Sequence, residues 1–273
     1  MGRKVKYDYA FKIGCMKLFI EQSHSVESVS AQKGVHELII RNNAVKYANE
    51  IDFKYHSIIR EPQAAVKAVD LVIQLAEIYQ VPSYILHVST AGELELVRAA
   101  KARGVKVYVE TCPHYLFLDD SNYPQLNGRA KMNPPLRSKI DQGILWQALN
   151  AGVIDTIGSD HAPHKLDEKA QPLCKCPSGV PGIETTLPLL ISAWRERKIS
   201  LAKIVELMHT NPRRIFNLPE NDDLVLVDIV NYSELSDERM ATKCRWTPFV
   251  GMNLTGFPRY VFTQNRLLDC RSL

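Results

Sequence analysis

A chain of 273 residues can bury a sizeable core, and a content of 45% hydrophobic and 23% charged residues is ordinary for a globular protein of one α/β-barrel size. The net charge of +4 comes without a basic block, which gives no case for nucleic acid binding. Apolar runs such as Leu187–Ile191 are far too short to span a bilayer, and Lys6, Asp8 and Lys12 interrupt any signal-peptide core behind Met1.

In chain order, Cys15–Ile20 reads as a short buried strand with Lys17 inside it. An unpaired ammonium is costly to bury, so Lys17 either snorkels at a strand end or is modified to a carbamate that bridges two metal ions. Pro62–Tyr79 has apolar residues at helical spacing. A strand is expected over 84–88, then a helix from Ala91 to Ala102 with Thr90 as N-cap and Gly104 as its stop. A second strand is expected over 105–111, a helix over 139–151 and a third strand over 153–158. This alternation with short links predicts parallel strands joined by crossover helices. The polar stretch from Asp167 to Val180 reads as a mobile loop beside the strand ends. Helices are expected near 183–197 and 200–209, with another starting at Pro212, and short β-rich pieces from Leu224 onward predict an accessory sheet. The six cysteines are scattered, which suits reduced thiols in a cytosolic protein. Cys174 and Cys176 form a CxC with no second pair nearby and read as an ordinary loop.

The chemistry gathers at the strand ends. The expected strands close on His87, on Glu110 with His114, and on Gly158-Ser159-Asp160-His161-Ala162-Pro163-His164. Taken singly, His87 fits a core histidine, His114 a loop cap and Asp160 a helix N-cap. Together, at the same end of consecutive parallel strands, they point to a metal-assisted hydrolase. Imidazole and carboxylate suit a zinc-like ion, and Asp160 can shuttle a proton from an activated water. His161 and His164 cannot both be ligands on one regular strand. His164 is the better placed to face substrate, and a structural role stays open for His161.

These residues carry a resemblance. The 158–164 segment closely resembles the signature of dihydroorotases in the amidohydrolase superfamily. Leu86–Ser89, Glu110–His114, Asn133–Arg137, Pro177–Thr185, Asn211–Phe216 and Trp246–Phe249 continue it in family order, over roughly residues 55–268. The resemblance implies an α/β fold, a metal-dependent-hydrolase (β/α)8 TIM-type barrel, with a barrel portion over 1–218 and a C-terminal β-rich accessory segment over 219–273. It implies reversible interconversion of N-carbamoyl-L-aspartate and dihydroorotate in pyrimidine synthesis, with two zinc ions, in the cytoplasm. Asp160 becomes a metal ligand and the acid/base, His87 a ligand of the second metal, and Lys17 the carbamate bridge. Glu110 and His114 match motif positions near the metals, and His36, ahead of a family-like helix, is the next ligand position, with His24 a weaker one. Asn133, His164, Pro181 and Gly182 match substrate-facing positions. A homo-oligomer, or association with aspartate carbamoyltransferase, is the implied assembly.

The family's first signature, His-x-His-x-Arg, is absent: no two of the eight histidines are separated by a single residue. The strands before Lys17 would need on the order of 100 residues, by ordinary βα-unit lengths. The chain is therefore expected to be an incomplete barrel, either part of a longer dihydroorotase or a non-catalytic relative kept as a structural partner. Glu110–Tyr115 also occurs in allantoinase-like and hydantoinase-like amidases, whereas Asn133-Pro134-Pro135 with His164 favours dihydroorotase.

Overall fold

The computed structural model describes residues 52–270, so Lys17, His24 and His36 lie outside the described residues. Three parallel strands, β1 (Ser83–Ile85), β2 (Val107–Thr111) and β3 (Thr156–Ile157), form one sheet in that order. Ser83 pairs with Val107 and Glu110 with Thr156, so the strands run in step toward one end. The crossovers are the helices Ala91–Ala102 and Lys139–Asn150. Both have side-chain caps: Thr90 accepts from the Glu93 amide in a reciprocal capping box, and Ser138 accepts from the Asp141 amide. Ahead of β1 lies the helix Pro62–Tyr79, which starts on Pro62 and ends on a left-handed Gln80. It buries Val69, Ile73 and Ala76, one stripe at helical spacing.

The strands are shorter than their sequence pattern suggests, for two reasons. β1 stops at Ile85 because His87 takes a left-handed backbone with φ 44°. β3 starts at Thr156 because the amides of Val153 and Ile154 both donate to Ala148 O at the end of the preceding helix. Ladder-type bonding still extends past β3, from Asp155 N to Val109 O and from Gly158 N to Thr111 O. The Asp155 carboxylate ties the base of the sheet, accepting from Lys101 Nζ at 2.6 Å and from Val109 N at 2.8 Å.

The segment after β3 is not the loose loop its composition suggests. A short helix, Leu166–Lys169, carries a lysine that is only 2% exposed. Lys169 Nζ donates to the carbonyls of Lys131, Pro177 and Gly179, each at 2.8 Å. Lys131 Nζ donates to Leu173 O and Cys176 O, so two ammonium groups fasten the segment. Desolvation lowers the Lys169 pKa to about 8, and Trp246, fully buried, lies beneath the ammonium at 5.9 Å.

Helices Thr186–Arg195 and Leu201–Val205 come next. A π-helical turn over Glu206–Thr210 then leads into the helix Asn211–Phe216. The expected continuous 200–209 helix is thus divided. The C-terminal part forms an antiparallel sheet of β4 (Leu224–Asp228), β7 (Phe257–Thr263) and β8 (Arg266–Asp269). A two-stranded pair, β5 (Ser233–Glu234) and β6 (Asn253–Leu254), lies between them in sequence.

Two outcomes are expected. Lys169→Met keeps the stem but leaves three carbonyls without their donor, and should cost about 3 kcal/mol in urea unfolding. The second concerns His56, whose Nε2 lies 3.0 Å from Met132 O and whose pKa burial lowers from 6.5 to about 4. A base with a depressed folded pKa loses stability as pH falls through the window between those two values, because the unfolded chain takes up the proton first. His56→Gln should flatten the loss of stability between pH 6.5 and 4, by up to about 3 kcal/mol, and a variant with an unchanged slope would remove His56 as its source.

Candidate active site

The strand ends converge as the sequence predicts. Beyond β1, His87 turns out on its left-handed backbone, and beyond β3 Asp160 does the same with φ 43°. Histidine and aspartate are among the side chains that tolerate this region best. Glu110, near the end of β2, reaches across the sheet to Tyr84, whose hydroxyl donates to Glu110 Oε2 at 2.9 Å and meets Thr156 Oγ1 at 2.5 Å. Glu110 lies over Gly158, where an added Cβ would come within 2.3 Å of the carboxyl carbon. Only glycine allows that approach. Burial raises the Glu110 pKa, while Tyr84 and His87 act in the opposite direction.

After β2 the chain turns at Cys112 into the short helix Pro113–Phe117, which buries His114. Cys112 is 0% and His114 1% exposed. Desolvation lowers the His114 pKa to about 3, with nearby His87 acting in the same direction. The imidazole is therefore neutral at pH 7, and its Nε2, 3.8 Å from Asp160 Oδ2, makes no ion pair there. This Nε2 is buried without a hydrogen-bond partner. A Cys112 sulfur, a His114 nitrogen and an Asp160 oxygen lie within 4.8 Å of one another.

The substrate-facing candidates lie on the loops around this group. His87 and Asn133 line one cavity of about 450 Å³ together with Arg60, Pro134, Pro135 and Arg137. Asn133 Nδ2 donates to Ser178 Oγ at 2.9 Å, and Oδ1 of the same amide is buried without a partner. His164 Nε2 lies 3.1 Å from Ser178 O, so Asn133 and His164 meet at one residue of the clamped segment. Pro181 and Gly182 are buried instead beside Trp246 in a separate small cavity. Gly182 is required there, since a Cβ would fall 2.4 Å from Ser159 O. His161 holds backbone in place: its Nδ1 faces the amides of Gly182 and Ile183 at 3.2 and 3.3 Å.

Among the described residues, the fold thus gathers Asp160 and His114, with His87 and Glu110 electrostatically coupled to the group. It also adds residues that the sequence pattern passes over. Cys112 stands inside the Glu110–His114 motif, yet only its distance from Asp160 marks it as a donor. Tyr84 has no signal beyond its place on an apolar strand. The CxC pair stays apart from this group, with Cys174 exposed and Cys176 buried near the Lys169 and Gly128 carbonyls.

No family model matches the chain. It is 37% identical over 197 residues to the multifunctional protein CAD of Squalus acanthias, covering 71% of this chain and 9% of that protein. It is 36% identical over 211 residues to the dihydroorotase of Geotalea daltonii, covering 75% of this chain and 50% of that enzyme. The crystal structure of dihydropyrimidinase from Brevibacillus agri superposes with a TM-score of 0.76 at 30% identity, over 81% of this chain and 52% of that one. The chain spans about half the length of the curated dihydroorotases it matches. Its parallel strands, crossover helices and C-terminal antiparallel sheet correspond to an incomplete barrel of that architecture. By sequence over 71–75% of its length and by fold over 81%, the chain belongs among the dihydroorotase-like cyclic amidohydrolases.

Proposed function

We propose that this chain carries the closing half of a dihydroorotase site, for reversible hydrolysis of dihydroorotate to N-carbamoyl-L-aspartate in pyrimidine synthesis. The observation that carries the reading is Asp160 turned out of the β3 end against a buried imidazole, with a cavity lined by His87, Asn133 and Arg137 at the end of β1. The 36% identity to a dihydroorotase supports that substrate over other cyclic amides. Residues up to 218 form the barrel portion in this reading, and those from 219 the accessory segment.

The donor set fits a divalent ion of the zinc type. His114 Nε2 is a neutral, buried nitrogen with no other partner, and it faces a carboxylate. Asp160, His87 and His114 would hold such ions, with Glu110 alongside and Lys17 and His36 contributing from outside the described residues. When bound, zinc supplies Lewis acidity that polarises an amide carbonyl and makes water nucleophilic near neutral pH.

The remaining steps belong to side chains. Asp160 accepts the proton of the attacking water on a carboxylate oxygen and returns it to the ring nitrogen as the amide bond breaks. In the reverse direction the same oxygen protonates the departing hydroxyl. Asn133, with its unengaged Oδ1, and His164 orient the substrate from the clamped segment. Arg60 and Arg137 place positive charge in the cavity for a substrate carboxylate. A cytoplasmic setting and association with aspartate carbamoyltransferase go with the pathway, and the relative named as a multifunctional protein supports such coupling. Among the described residues no helix is long and apolar enough to cross a membrane.

Where the purified chain with zinc turns over a cyclic amide, dihydroorotate should be taken in preference to hydantoin and allantoin. Asp160→Asn should lower kcat at least about 100-fold, whereas His164→Ala should act mainly on KM. Absence of both zinc and turnover would overturn autonomous catalysis. It would leave either half of a longer site or a non-catalytic partner role, the two readings that the missing His-x-His spacing keeps open.

A further inference from the structure

Tyr84 has no place in the hydrolytic scheme, yet its hydroxyl joins side chains from all three parallel strands. We propose that Tyr84 is a positioning residue: through the Glu110 carboxylate, its hydroxyl braces the two turns that aim His87 and Asp160 at the rim. The brace deepens the hydrolase reading and rests on it only for its effect on turnover.

The direction of the network comes first. A carboxylate only accepts, so the Tyr84 proton goes to Glu110 Oε2 at 2.9 Å. With that proton committed, the Thr156 hydroxyl donates at its 2.5 Å contact with Tyr84. The relay therefore runs from β3 through β1 to β2 and ends on a charged acceptor, the stronger kind of hydrogen bond. Burial raises the Tyr84 pKa, so the hydroxyl remains a donor at neutral pH. Filling space does not account for it. The Tyr84 ring already packs on Phe216 with centroids 4.9 Å apart, as a phenylalanine would, and the oxygen reaches past that contact.

What the carboxylate touches gives the network its role. The His87 backbone amide hydrogen-bonds it as well, and His87 is the left-handed residue beyond β1, with φ 44°. The same carboxylate rests on Gly158, where a Cβ would fall 2.3 Å from the carboxyl carbon. Gly158 N donates to Thr111 O, and two residues on Asp160 takes the second left-handed backbone, with φ 43°. One carboxylate thus stands at the exits of both β1 and β3. A left-handed backbone outside glycine persists only where its surroundings over-determine it. Glu110 supplies part of that constraint, and Tyr84 fixes where the Glu110 oxygens lie.

Amide hydrogen exchange on Tyr84→Phe gives the test, because the ring stays and only the hydroxyl leaves. Exchange should rise about tenfold or more at the His87 and Gly158 amides, as for loss of a hydrogen bond to a charged group. Other protected amides and the urea midpoint should match the wild type, a pattern that a merely structural role would not give. In a Glu110→Ala background, Tyr84→Phe should add nothing further at these amides, whereas Glu110→Gln keeps an acceptor and should retain most of the protection. Where the chain turns over dihydroorotate, Tyr84→Phe should lower kcat about tenfold and leave KM within about twofold. Unchanged exchange at both amides, or a rise spread over the whole chain with a lowered midpoint, would overturn the proposal. The local exchange change in a chain without turnover would leave the brace standing and remove the hydrolase reading. Turnover with a Tyr84→Phe chain indistinguishable from wild type would do the reverse.

Discussion

A parallel ladder keeps its strands in step, and the rest of the site depends on that. With Ser83 beside Val107 and Glu110 beside Thr156, the ends of β1, β2 and β3 reach one level, and the turns leaving them face the same space. His87, His114 and Asp160 are far apart in sequence and drawn from three connections, yet the register alone brings them to one rim. Two of those connections leave the strand through a left-handed residue, which turns the side chain out of the pleat. Such a backbone costs on the order of 1–2 kcal/mol in an L-residue, less for aspartate and histidine. It persists because neighbours hold it: Val88 N donates to Glu110 O beyond His87, and His161 beyond Asp160 engages the 182–183 amides.

Beside the rim the chain uses buried ammonium groups in place of apolar packing. Lys169 has three carbonyl acceptors and an aromatic face, and this satisfies all three donors of its ammonium group. The clamp fixes Pro177 and Gly179 on either side of Ser178, the residue that both Asn133 and His164 contact. The loop groups proposed to face substrate thereby gain the rigidity of a core element. Trp246 links this clamp to the C-terminal portion, since its indole donates to His164 O while its ring lies under Lys169.

Much of this frame was legible in the sequence, and the misses share a cause. Pro62, Thr90 with Glu93, and the stop at Gly104 mark helix ends by local chemistry, and the structure agrees within a residue or two. Strand ends depend on partners remote in sequence. Val153 and Ile154 look like strand, yet their amides are taken by the preceding helix, and Leu86-His87-Val88 is broken by a backbone angle that no residue type dictates. The 167–180 segment is polar, as a mobile loop would be, because its lysine is satisfied by carbonyls that composition does not reveal. For the site, residue types pointed to Asp160, His87 and His114, while Cys112 became visible only as a distance. The expected contributions of Lys17 and His36 fall outside the described residues.

That distance bears on how the rim is read as chemistry. A hydrolytic site must leave one position open for water, whereas a structural ion is closed off by protein. Asp160 is part-exposed at the rim, while Cys112 and His114 are buried next to it. His114, whose Nε2 lies 3.8 Å from Asp160 Oδ2, would hold a cation jointly with that carboxylate and so fix its rotamer. One oxygen would remain on the open side, where a proton shuttle has to stand. The buried imidazole would then act on catalysis only through the carboxylate it faces. On this view the acid that closes β3 is positioned from below by the strand beside it, and its reach toward substrate is set by the same register that makes the rim.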